Sequence, residues 1–176
     1  MQRLAATVEG ATTTTTIFSK DESLTAEGGF MNGVRRSKLR EMDVIDAVCV
    51  YLERSGWTVQ DRVQKVTQRG PDITAESPSG HRVLIEAKGG RSSKHGSARR
   101  RKRFDSSQFR DHLANALFKS CEAISSGNGA AIAVPDVIRD QDLVQRIGPV
   151  LRKLRISVLM VDEAKGVRVE GAPLRG

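Results

Sequence analysis

An α/β fold, a mixed central β-sheet flanked by helices, is what this sequence predicts, on three observations. Apolar residues recur with helical spacing in three stretches and with strand character in six, in the order αβββαβαββ. Ser77-Pro78-Ser79-Gly80 joins two of the strands through a tight turn. A short apolar strand at 130–134 lies between two helical stretches, which suits one sheet with helices on both faces.

Residues 1–33 contain the run Thr12 to Thr16, then Gly28-Gly29, without apolar periodicity, and are expected to be a disordered tail. Residues 34–171 are expected to form a single domain and 172–176 a flexible end. A long helix is predicted over 37–55, stopped by Gly56. Ile45, Val48, Cys49 and Leu52 form its apolar face, flanked by Met42 and Val44. Glu41 falls on that same face by spacing, where a carboxylate needs a partner or a metal.

Strands are predicted over 57–66, 71–76 and 82–88. In the third, Leu84, Glu86 and Lys88 share one face and Val83, Ile85 and Ala87 the other. Residues 89–103 form a Gly/Ser/Arg loop. A second helix is predicted over 106–126, with Phe109, Leu113, Ala116, Leu117, Cys121 and Ile124 as its apolar stripe and Gly127-Asn128-Gly129 as its end. The strand at 130–134 stops at Pro135. A helix over 140–154, a strand over 156–161 and a short edge strand over 166–170 complete the order.

The formal net charge is +8. Of the 29 Lys and Arg, seven fall in residues 91–103, a segment without an acid: Arg91, Lys94, Arg99, Arg100, Arg101, Lys102 and Arg103. Elsewhere bases and acids nearly cancel. A concentrated basic patch is the footprint of a polyanionic partner such as nucleic acid, and a solvated loop is the plain alternative. Cys49 and Cys121 lie in apolar helical patterns and are expected to be reduced and buried, as in a cytosolic protein. No run approaches the roughly 18 apolar residues of a membrane span, and the N-terminal stretch lacks the apolar core of a secretory signal. A cytoplasmic protein without a membrane partner is therefore expected.

The residues that suggest chemistry are Gly70-Pro71-Asp72-Ile73 and Ile85-Glu86-Ala87-Lys88. Phosphodiester hydrolysis needs an activated water, stabilisation of transition-state charge and help for the leaving oxygen. Mg²⁺ prefers oxygen ligands and keeps several waters, so two carboxylates and one backbone carbonyl can suffice. Asp72 and Glu86 are the candidate carboxylates, the Ala87 carbonyl the third donor, and Lys88 the cation beside water or phosphate. Glu41 is the candidate to complete the set, directly or through water.

Asp72, then Glu86-X-Lys88 after fourteen residues, with Glu41 on the preceding helix, resembles the PD-(D/E)XK nuclease superfamily. The resemblance spans roughly residues 37–161. It implies a restriction-endonuclease-like fold: a mixed sheet, a helix before the hairpin and a crossover helix after the lysine strand. It implies Asp72 and Glu86 as metal ligands, Lys88 as the catalytic lysine and Glu41 as the helix acid. Mg²⁺ would be the cofactor, with Mn²⁺ substituting, and DNA the substrate. Some members carry a Gln in the next helix followed one turn later by Tyr. Gln108 matches the first position, and His112 replaces the second. The basic loop, leaving the sheet after Lys88, would grip the substrate backbone. Cutting both strands would call for a homodimer.

Other chemistries fit less well. His81, His95, His112 and the two cysteines lack zinc-ligand spacing. No phosphate-binding Gly-x-x-x-x-Gly-Lys-Ser/Thr loop occurs, so no nucleotide cofactor is expected. One Trp, one Tyr and five Phe are few for a single-strand stacking platform. Two alternatives stay open: a nuclease-like module that binds nucleic acid or a protein complex without cutting, and a basic RNA-associated protein.

Overall fold

A computed structural model describes residues 37–64, 70–91 and 106–174. The expected N-terminal tail and most of the basic loop lie outside the described residues. Three helices and six strands follow the expected order: α1 (Glu41–Arg54), β1 (Thr58–Arg62), β2 (Ile73–Glu76), β3 (Arg82–Ala87), α2 (Ser106–Ser125), β4 (Gly129–Pro135), α3 (Ile138–Leu154), β5 (Ile156–Val161) and β6 (Val167–Gly171).

The strands form one mixed sheet in sequence order, β1 to β6. The first three pair antiparallel, β3, β4 and β5 pair parallel, and β6 returns antiparallel. Parallel neighbours need crossovers, which α2 and α3 supply. The β2–β3 turn is closed by Ser77, whose N–H donates to the His81 carbonyl (2.9 Å) and whose hydroxyl accepts the His81 N–H (3.0 Å). That turn sets Ile73 opposite Ile85, so Asp72 comes level with the Glu86 end of β3.

Two apolar layers hold the sheet. On one face α1 buries Val44, Ile45, Val48, Cys49 and Leu52 against Ile73, Val83, Ile85 and Ala87. On the other, Phe109, Leu113, Ala116 and Ala123 of α2 and Val144 and Leu151 of α3 cover Ala130, Ile132, Ile156 and Val158. Alternation along β3 thus follows the expected division, with Leu84 packed on the α2 side. Past β6, Ala172 is buried and its N–H reaches the Ile156 carbonyl, while Leu174 packs on the α1 side.

Three expectations need correction. Helix α1 begins at Glu41, not at 37, because residues 37–40 are used otherwise. The Ser37 hydroxyl and Lys38 N–H both donate to Glu163 (2.8 Å each), and the Leu39 carbonyl accepts the Gly90 N–H (2.9 Å). Asp43 then accepts the Arg40 N–H at 2.8 Å and closes the helix start. The buried stripe of α2 is also rotated. Ser120 and Ala123 face inward while Cys121 is only half-buried, because small residues let the helix lie close on β3 and β4. Lastly, α3 starts two residues earlier than expected, and Pro149 sits within it.

Candidate functional site

Glu86 and Lys88 stand at the C-terminal end of β3, a strand that pairs antiparallel with β2 on one side and parallel with β4 on the other. Asp72 immediately precedes β2. Its Oδ2 accepts the Ala87 N–H at 2.7 Å, which ties the acid to the neighbouring strand. The Lys88 N–H donates to the Ala133 carbonyl at 2.8 Å, so β4 fixes the same strand end from the other side.

Three side chains from the adjoining ends of β2 and β3 meet there. Lys88 Nζ lies 3.2 Å from Glu86 Oε2 and 3.6 Å from Asp72 Oδ2. The side chains of Lys88, Asp72 and Glu86 are only 14%, 12% and 6% exposed, so these charges interact with little solvent screening. Burial alone opposes the Lys88 charge more than any other single influence. Asp72, Glu86 and Glu41 together outweigh it and lift the Lys88 pKa above its ordinary value.

Glu41 is the first residue of α1 and half-buried, one turn before the buried Ile45 on the face that also carries Val48 and Leu52. It feels the same cluster. Burial pushes its carboxyl up most, Lys88 pulls it back, Asp72 and Glu86 push it up, and Lys119 pulls it back. The approach of β3's end to α1 depends on Gly89. A Cβ there would stand 2.4 Å from the Glu41 amide nitrogen and 2.8 Å from the Arg40 carbonyl carbon. Only a glycine admits that backbone contact.

Lys119 of α2 was not expected at this site. Its Nζ donates to both Glu86 oxygens at 2.8 Å. A sequence signal existed: Gln108, His112 and Lys119 fall at i, i+4 and i+11, one stripe of a helix. Gln108 and His112 are half-buried. The His112 pKa is lowered, first by burial and then by the Lys88 charge, so this stripe runs past the cluster.

Of the basic segment, only Arg91 is described. It is half-buried, and its Nε is buried without a hydrogen-bond partner among the described residues. Lys94, Arg99, Arg100, Arg101, Lys102 and Arg103 lie outside them. No helix among the described residues is long and apolar enough to cross a membrane.

No group of three His, Cys, Asp or Glu side chains among the described residues is arranged to hold a metal. Asp72 and Glu86 are the side-chain carboxylates that share the Lys88 ammonium. Both reach one ammonium nitrogen within 3.6 Å, and carboxylate oxygens are the donor type that Mg²⁺ takes. A recess of about 300 Å³ adjoins them, lined by Pro71, Leu84, Glu86, Lys119 and Ala123 among others. A larger cavity of about 500 Å³, bordered by Trp57, His81 and Gly129, opens at the opposite strand ends and includes none of the candidate residues.

No protein-family model matches this sequence, and no curated protein matches it. Among solved structures, the chain is similar to Pyrococcus furiosus SfsA in complex with Ca²⁺, at 13% identity and a TM-score of 0.32. The match covers 73% of this chain and 58% of that one, so the chain spans less than two thirds of that protein's length. Likeness at this level does not extend to function.

Proposed function

We propose that this protein is a Mg²⁺-dependent DNA endonuclease of the PD-(D/E)XK type. One observation supports it above the others: Lys88 Nζ stands 3.2 Å from Glu86 and 3.6 Å from Asp72, at a strand end beside the recess that Glu86 lines. Mg²⁺ would be held by Asp72, Glu86 and the Ala87 carbonyl, and when bound it polarises the phosphoryl group and acidifies a water. Asp72 is oriented for this by the Ala87 N–H. Lys88, whose charge is stabilised by three acids, stays an ammonium at neutral pH. It therefore donates to a phosphate oxygen and stabilises transition-state charge instead of removing a proton. Glu41, held above the ordinary carboxylate range, is suited to accept a proton from water. The basic loop from Arg91 to Arg103 would contact substrate phosphates.

The test is nicking of supercoiled plasmid and cleavage of single-stranded, duplex, flap and junction DNA with Mg²⁺ or Mn²⁺. Asp72→Asn, Glu86→Gln and Lys88→Met are each expected to remove cleavage while DNA binding survives. Failure of the unaltered protein to cut any of these substrates refutes the assignment.

A second reading, a nuclease-like module that binds nucleic acid without cutting, is favoured by one contact. Lys119 already engages both oxygens of Glu86. Under that reading no metal supports cleavage, and Glu86→Ala changes little.

A further inference from the structure

We propose that Lys119, at the recess between α2 and the β2–β3 hairpin, is a substrate-phosphate ligand that transfers its pairing from Glu86 to a phosphodiester of the bound nucleic acid. The proposal rests on the nuclease reading and names a binding residue within that site.

The two lysines on Glu86 are held differently. Lys88 is 14% exposed and shared between Glu86 and Asp72, so two acids hold it in place. Lys119 is 48% exposed, and Glu86 is the acid it pairs with. An ammonium already half in water gives up an ion pair at little desolvation cost, and its flexible stem carries three donors. Charge points the same way. Asp72, Glu86 and Glu41 against Lys88 and Lys119 leave the cluster with one net negative charge. A divalent cation at Asp72 and Glu86 reverses it to one net positive charge, the complement of a single phosphodiester. Glu86 oxygens that held such a cation would be less available to Lys119, which would then be free to pair with an anion.

The recess fits the role. Pro71, Leu84 and Ala123 provide apolar surface for a sugar face. Its hydroxyls are already used, since Ser120 donates to the Ala116 carbonyl and Ser126 to the Glu122 carbonyl, both at 2.9 Å. Lys119 is the one cation lining it among the described residues, beside two acids, Glu86 and Glu122.

The experiment measures binding, not cutting. Fluorescence anisotropy of a labelled DNA duplex would be recorded against salt concentration without metal for the full-length wild type, Glu86→Gln, Lys119→Gln and the double variant. Thermal melts would confirm folding. Glu86→Gln is expected to steepen the slope of log affinity against log salt by about 0.9, the signature of one more phosphate contact. Adding Lys119→Gln should return the slope to the wild-type value, and Lys119→Arg should keep it steep. In wild-type protein loaded with Ca²⁺, Lys119→Gln is expected to weaken DNA binding about five-fold and lower the slope by the same increment. Equal slopes for Glu86→Gln and the double variant, with Ca²⁺-loaded binding insensitive to Lys119→Gln, would overturn the proposal and leave Lys119 as a positioning residue for Glu86. Absence of salt-dependent DNA binding by the wild type would instead overturn the nuclease reading itself.

Discussion

Replacing Lys88 with methionine keeps most of the stem and removes the ammonium that two buried acids share. Breaking a buried pair by deleting one partner costs about 3–5 kcal/mol, because the other charge is left uncompensated. Here the loss is partial. Lys119 still neutralises Glu86 at 2.8 Å, so the burden falls on Asp72 and Glu41, and about 2–3 kcal/mol is expected. At about 3 °C per kcal/mol for a domain of this size, Lys88→Met should melt about 6–9 °C below wild type at pH 8.

The pH dependence carries the sign of the mechanism. Lys88 has a folded pKa above its ordinary 10.5. Its contribution is therefore complete below 10.5 and lost as pH rises through the folded value, so the gap between the two proteins narrows on the alkaline side. On the acid side, Glu41 in the variant has lost the Lys88 charge that pulled it down. It binds its proton in the folded state before the unfolded chain does, and the variant gains stability as pH falls. The deficit should thus peak between the two ranges. Mg²⁺ should raise the melting temperature of Lys88→Met more than that of wild type, because the cation enters a cluster short of positive charge. Differential scanning calorimetry across pH, with and without Mg²⁺, measures all of this. A variant melting within 2 °C of wild type at pH 8, or a deficit that grows toward acid, would refute the shared-ammonium account.

Three further outcomes are expected. Glu41→Gln should stabilise the protein by about 0.5–1 kcal/mol near pH 8 in urea titrations, because it removes a charge that burial disfavours. The gain should fade as pH falls through the raised Glu41 pKa, where the wild-type group is already neutral. Gly89→Ala should cost about 2–3 kcal/mol in the same assay, since its Cβ would meet backbone atoms of Arg40 and Glu41 that cannot move aside cheaply. Neutralising Arg99, Arg100, Arg101, Lys102 and Arg103 together should weaken DNA binding and flatten its salt dependence by about 0.9 for each phosphate no longer neutralised, read by anisotropy.

The elements that could be read from sequence were those whose signals are local. The β2–β3 hairpin announces itself through Ser77-Pro78-Ser79-Gly80, and β4 through an unbroken apolar run ending at Pro135. The start of α1 was not legible, since 37–40 has helical composition. It is kept out of the helix by Glu163 and Gly90, distant partners that no local pattern encodes. The tilt of α2 was missed for a related reason. Leu117, Cys121 and Ile124 are more apolar than Ser120 and Ala123, yet the small residues face the sheet because close packing on Ala130 and Ile132 selects size over hydropathy. That rotation is also what brings Lys119 to Glu86, so one misjudged helix face concealed one residue of the cluster.

The position of this cluster follows from topology. At β3 the sheet changes from antiparallel to parallel pairing, so at its C-terminal end the chain entering β2, the end of β4 and the start of α1 all converge. Each contributes through backbone: Ala87 N–H to Asp72, Lys88 N–H to Ala133, Gly89 against Glu41. Main-chain groups in a paired sheet cannot relax away from charge repulsion as flexible side chains can. Three acids are thereby kept close at a standing electrostatic cost, offset by two lysines whose exposures differ more than three-fold. An acid cluster with one buried and one half-exposed lysine is what the proposed exchange of a metal ion and a phosphate into this space would require.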